Sequence, residues 1–274
     1  MKKTALFLAL CLCALATFGC QKDEGKAGQY LYATALKYSG EDDPKTYLEI
    51  AGRSQELLSL LEEKAGAFVM NAYNFQDADG EGTPLYEASG MELPPETDPN
   101  GRCICADENY LTLNGIQTAD GRPLSEQLVY DGLTQNILVP EQFKSQEQDI
   151  LRVYRARFWF EKVEAENSYN EDAGIDRLLA LSEDDLTVNI IYVKDGQRYP
   201  VYRADIVSEG GFITDPVVQV YTGNIHCNYA HSGLSQWTYF YSAEADPEKA
   251  YEALRPYIEQ CGAEESLQSV KRMG

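Results

Sequence analysis

No apolar run in this sequence is long enough to cross a membrane. The longest is the thirteen-residue stretch from Ala5 to Thr17, whereas a spanning helix needs roughly 20 apolar residues. Positive charge is also scarce: 23 Lys and Arg stand against 44 Asp and Glu, for a formal net charge of −21. Nucleic acid is bound by Lys and Arg that neutralise phosphates, so such an acidic chain excludes nucleic acid as a partner. The acidity itself is explained by solubility and self-repulsion at a crowded surface. No Gly-x4-Gly-Lys-Ser/Thr loop is present to cradle nucleotide phosphates. Ser232-Gly233 beside His231 lacks the Gly-x-Ser-x-Gly elbow of a hydrolase.

What is present at the start has three parts: the charged Met1-Lys2-Lys3, the short apolar run, and Phe18-Gly19-Cys20 followed by polar Gln21 to Glu24. That is the form of a secretory signal. A small residue before a cysteine at the end of the run resembles the lipobox of bacterial lipoproteins, in which the thiol is acylated (palmitate among the acyl groups) and becomes the new N-terminus. Thr17 and Phe18 depart from the usual aliphatic and small residues of that motif. The expectation is a signal peptide over 1–19, lipidation at Cys20, a flexible tether over 20–28, and an extracytoplasmic domain over 29–274, divisible into two subdomains. The protein is then held on the outer face of the cell membrane. Loss of residues 1–19 removes two lysines and no acid, which moves the net charge to −23.

Four cysteines remain beyond Cys20: Cys103, Cys105, Cys227 and Cys261. Outside the membrane they are free to pair, and four allow three connectivities. Cys103 and Cys105 alternate across Ile104 in a strand-like stretch, so they share a face and do not bridge each other. Any disulfide must reach Cys227 or Cys261; free buried thiols are the equal alternative.

Hydrophobic periodicity predicts a strand at Tyr30–Tyr38, a helix from Pro44 to Ala65 ended by Gly66, and a strand at Ala67–Phe75. The stretch 76–100, with four prolines and many acids, reads as a long exposed excursion. Strands follow at Arg102–Ala106 and Asn136–Val139. Pro140 then opens a long helix with an apolar stripe at Phe143, Ile150, Leu151, Tyr154, Phe158, Trp159 and Val163. A short helix is expected at Asp172–Leu181, and a hairpin of Leu186–Val193 and Arg198–Arg203 around Asp195-Gly196. The end repeats the beginning: strands at Val217–Tyr221 and Thr238–Ser242, a helix from Pro247 to Cys261, and a last strand at Leu267–Val270. The predicted fold class is α+β, with mixed sheets and helices on one face, the terminal β-α-β units forming a split layer around an inserted middle region.

Four strings carry a family resemblance: Asn109-Tyr110-Leu111, Asn136-Ile137-Leu138-Val139-Pro140-Glu141-Gln142-Phe143, Val188-Asn189-Ile190-Ile191-Tyr192-Val193, and Ile213-Thr214-Asp215-Pro216-Val217-Val218-Gln219-Val220-Tyr221-Thr222. Over about residues 30 to 270, the chain resembles the extracytoplasmic region of the bacteriocin-associated integral membrane proteins, the immunity-protein family. These are similar in turn to permeases of macrolide-exporter and cell-division ABC transporters. The resemblance implies an outer domain that works with an ABC-type permease or binds a peptide-like ligand in bacteriocin immunity or export. It carries no catalytic residue and no cofactor. The family holds this domain with transmembrane helices; here a lipid at Cys20 takes their place, in a lipoprotein serving a separate permease or in a shortened permease. The other function classes are a secreted hydrolase using two carboxylates and a structural envelope lipoprotein.

Three local clusters bear on chemistry. His226, Cys227 and His231 put three metal-ligating types within six residues, but a structural zinc site needs four ligands and the expectation is a loop without metal. Asp77-Ala78-Asp79-Gly80-Glu81-Gly82 resembles a calcium loop without its later ligands, and a solvated turn is expected. Phe158, Trp159 and Phe160 are consecutive aromatics that cannot share one helix face; at least one is expected to be exposed or to meet another element, most often in packing between subdomains, with a docking surface for a partner as the sharper alternative.

Overall fold

The computed structural model describes residues 28–36, 43–77, 83–88, 90–264 and 266–273. Cys20, the signal and the tether up to residue 27 lie outside the described residues, as do residues 78–82 of the calcium-like loop.

Strand β1 (Tyr30–Leu36) leads to helix α1 (Pro44–Ala65). Asp43 caps α1 by accepting from the Lys45 and Thr46 amides, and Pro44 occupies its first turn, where no amide donor is needed. Gly66 closes it at φ 63°, its amide bonded to the Leu61 carbonyl. The face that repeats through Ala51, Ser54, Leu57, Leu58 and Leu61 is buried. Then come β2 (Phe68–Asn71), the short α2 (Leu85–Ala88), β3 (Cys103–Ala106), α3 (Glu108–Leu113) and β4 (Thr134–Pro140). A continuous helical rod follows: a 3₁₀ turn at Glu141–Gln146, α4 (Glu147–Trp159), a π turn at Phe160–Glu164 and α5 (Ala165–Asp172). The remainder is β5 (Thr187–Val193), β6 (Arg198–Pro200), β7 (Phe212–Thr214), β8 (Val217–Val220), α6 (Asn228–Gln236), β9 (Thr238–Ser242), α7 (Pro247–Glu252), α8 (Arg255–Gln260) and β10 (Leu267–Arg272).

The fold is α+β. Its main sheet has eight strands in the order β10-β1-β9-β2-β3-β8-β4-β5. The terminal units interleave as expected: β10-β1-β9-β2 are antiparallel neighbours, with the helices of each β-α-β unit returning the chain past an intervening strand. The middle region extends the same sheet, β3 pairing antiparallel with β2 and parallel with β8, and β4 pairing parallel with β5. One face buries Tyr32, Val69, Phe240 and Leu267 beneath α1, α6, α7 and α8, and Ile137, Val139 and Val217 beneath α4. The opposite face buries Phe68, Met70, Ile104, Leu138 and Val218 against α3 and the two-stranded sheet of β6 and β7. The longer helices therefore do lie on one face, and the short α2 and α3 are the exceptions.

Several local expectations are corrected. The strand from Ala67 stops at Asn71, where the Asn71 side chain accepts from the Tyr73 amide and turns the chain into a 3₁₀ turn at Tyr73–Phe75. Asp195-Gly196 does turn, with Gly196 at φ 79°, but β5 and β6 do not pair. Asp215 accepts from the Gly196 and Gln197 amides at 2.9 Å each, steering the chain out of the main sheet and into the small one. No helix forms beyond Asp172 in the stretch to residue 181. Gly174 at φ 65° ends α5, and Asn167 holds the return segment by a two-way bond with the Leu179 backbone. The stretch 76–100 is not simply exposed: Thr97 and Asp98 are fully buried, Asp98 accepting from the amides of Glu92, Leu93 and Asn100. Gly101 is required there, since a Cβ would sit 2.2 Å from the Pro95 carbonyl oxygen. The helix predicted from Pro247 is split in two between α7 and α8.

Candidate functional site

A groove of about 750 Å³ lies between the small sheet, the 84–102 segment and the start of the helical rod. All three residues of β7 line it. Among the described strands β7 pairs only with β6; on its other edge the Phe212 amide donates to the Glu209 carbonyl at 3.4 Å in an isolated bridge, and past that bridge the edge has no partner strand. Aromatic side chains supply the apolar surface: Phe75, Tyr86, Phe143 and Phe212. Charge is fixed at the walls. Arg102 donates to the Tyr86 hydroxyl at 2.8 Å, lies over that ring at 5.0 Å, and is 3.8 Å from Glu96. Arg198 lies 3.8 Å over the Phe212 ring. Asp215, at φ 50°, is fixed by the Gly196, Gln197 and Gln142 donors. Val207 stands on the rim, 40% exposed. An open strand edge beside aromatic surface is the arrangement by which extended peptides add to a sheet.

A second, smaller cavity of about 320 Å³ lies on the helical side, over the centre of the sheet. Its floor is Cys103, Cys105 and Gln219, its walls Arg157, Glu161, Asn71, Tyr229 and Trp237. Glu161 stands in the π turn and accepts from Arg157 Nε at 2.6 Å and from the Gln219 amide. The wide turn also frees the Glu161 carbonyl, which takes the His226 amide at 3.1 Å. Single π turns of this kind recur at functional sites. Gln219 in turn meets Gln135, whose amide donates to the Val220 and Asn136 carbonyls at 2.9 Å each. A chain of polar groups thus runs through an otherwise apolar sheet, and every link is bonded, as burial requires.

The thiols are not nucleophiles as they stand. Burial pushes Cys103 and Cys227 each up to about 11 and Cys105 well above its ordinary value, so all three are protonated at neutral pH. All four described cysteines are free. A buried carboxyl pair lies elsewhere. Asp107 caps α3 by accepting from Tyr110 and Val69 amides at 2.8 and 2.9 Å, and Glu62 of α1 hydrogen-bonds to it. Burial raises both carboxyls, and the neighbouring Asp107 charge raises Glu62 further.

The residues singled out in the sequence are dispersed. Phe158 is fully buried in the helical layer, Trp159 is half-buried with its indole N–H on the Leu181 carbonyl at 2.8 Å, and Phe160 is 54% exposed. Only Phe160 is available to a partner. His226 stacks on Tyr169 at 4.6 Å and bonds Asn228; its Nε2 lies 3.7 Å from Glu166 and 3.8 Å from Cys227 Sγ. His231 does not lie in a loop but in α6, buried, with Nδ1 2.9 Å from the Ser54 hydroxyl. Among the described residues no three His, Cys, Asp or Glu side chains converge as metal ligands, and no helix is long and apolar enough to cross a membrane. The groove and the inner cavity were not anticipated. The signal for the cavity was a glutamine inside Val217-Val218-Gln219-Val220, a costly residue at the centre of a sheet unless it is bonded. Compared with known proteins, the chain matches no family model, no curated protein and no solved structure.

Proposed function

We propose that this chain is a non-enzymatic, lipid-anchored extracytoplasmic domain that takes an extended peptide-like ligand in the groove beside β7 and acts with an ABC-type permease in bacteriocin immunity or export. The groove carries the reading: it joins about 750 Å³ of concave surface, four aromatic side chains and a strand edge that, beyond the bridge at Phe212, has no partner strand among the described residues. Such an edge supplies main-chain hydrogen bonds to any extended peptide, while alternate side chains enter the pockets. The interleaved terminal β-α-β units with a middle insertion are the architecture that the resemblance implies for permease outer domains, and they support the assignment. The three-part N-terminus ending in Gly19-Cys20 supports the anchor. The hydrolase reading would need two carboxylates free to face a cavity; of the three acids that line the groove, Glu96 lies 3.8 Å from Arg102 and Asp215 is spent on the Gly196 and Gln197 amides, which leaves Glu209, and the buried Glu62 and Asp107 line neither concavity.

A photo-crosslinking residue at Val207, used in native membranes, tests the reading. It predicts capture of a peptide or of a permease loop in wild type, and loss of membrane retention in Cys20→Ser. Retention unchanged in Cys20→Ser would refute the anchor, and a Val207 adduct pattern identical to that of a residue outside the groove would refute the site.

A further inference from the structure

We propose that the cavity over Cys103, Cys105 and Gln219 is a binding site for a small zwitterion, a free α-amino acid with an apolar side chain, distinct from the peptide groove.

The Arg157–Glu161 pair decides the ligand's charge. The pair forms one wall, with side chains 37% and 14% exposed. Arg157 uses Nε on Glu161, and Nη1 makes a long 3.4 Å contact with Asn100. Its Nη2 has no hydrogen-bond acceptor among the described residues and is available to a carboxylate. Each Glu161 oxygen accepts one bond, from Arg157 or Gln219, and keeps a second lone pair for an ammonium. A ligand with only a carboxylate would meet the Glu161 charge, and one with only an ammonium would meet Arg157. A molecule carrying both satisfies both.

Size and lining set the rest. About 320 Å³ is at the small end of ligand sites, which begin at roughly 300 Å³. The floor of two protonated thiols with Tyr229 and Trp237 alongside offers soft, polarisable surface to an apolar side chain. The wall is also rigid. Gln219 holds Glu161 from the sheet, and the His226 amide holds the π turn from behind, so the charged pair is positioned before any ligand arrives.

Calorimetric titration of the full chain with L-leucine, L-methionine and L-phenylalanine tests this, with N-acetyl-L-leucine and L-leucinamide as probes lacking one charge each. At least one free amino acid should bind saturably, and removing either charge should weaken binding tenfold or more. Glu161→Gln should lose the same tenfold, while Phe212→Ala in the groove should leave it unchanged. Because the blocked ligands are tested on the wild type, the outcome does not depend on a variant folding. No saturable heat from any of the three amino acids, or equal binding of the blocked and free forms, would overturn the proposal.

Discussion

Three adjacent aromatics provide a sharp test of the packing, because their side chains meet three different environments within one turn of helix. Phe158 is fully buried among the residues that α1, α6 and the sheet contribute to the helical layer. Truncating such a side chain removes its transfer free energy and leaves a cavity, a cost of about 3–5 kcal/mol. Against a total stability of roughly 5–15 kcal/mol for a domain, Phe158→Ala should lose about a fifth or more of the whole and lower Tm by roughly 10 °C. Trp159→Phe keeps most of the packed ring but gives up the indole bond to Leu181, at about 1 kcal/mol. Phe160, 54% exposed, should tolerate Ala within about 0.5 kcal/mol. Urea denaturation of the three variants at one pH reads all three values. A Phe160→Ala loss equal to that of Phe158→Ala would mean that the π turn is absent and the helix faces are rotated.

Further outcomes follow from other parts of the fold. Glu62 and Asp107 are protonated more readily folded than unfolded, so their contribution to stability is full below the ordinary carboxylate range and is lost as pH rises through the raised folded values. Glu62→Gln keeps a donor toward Asp107 and removes one titration, so the variant should gain on wild type between about pH 5 and about pH 8 in urea midpoints; a constant difference would refute the buried pair. Asp98→Ala removes the buried acceptor of three amide donors and should cost on the order of 3 kcal/mol in the same assay. Gly66→Ala places a Cβ in the left-handed region and should cost about 1 kcal/mol, with no change in helix content by circular dichroism.

The fold was legible where local chemistry and tertiary packing agree. Pro44 and Gly66 bound α1, and the helix has those limits because the capping bonds are local. The interleaving of the two ends was also visible, since each is a strand, an amphipathic helix and a strand. Illegible features depend on distant partners. Asp215 redirects Gly196 and Gln197 from 18 and more residues away, so Asp195-Gly196 reads as a hairpin although its flanking strands belong to different sheets. Asp98 buries a proline-rich stretch through amides that no periodicity marks. Helix α6 has a glycine, Gly233, in its interior and a short apolar face, so the His226–His231 stretch reads as a loop. The site was less visible than the fold. The aromatic run pointed to the helical rod, but the side chains that line the inner cavity from that rod are Arg157 and Glu161, on either side of the run.

The most direct measurement for the central claim is peptide binding at the groove. Peptides selected from a random library against the full chain, labelled and titrated by fluorescence anisotropy, should bind wild type in an extended form and lose at least tenfold in affinity to Phe212→Ala and to Val207→Glu. Phe160→Ala should bind them as wild type does. Selected peptides that bind both groove variants undiminished, or a selection that recovers no binder at all, would contradict the account.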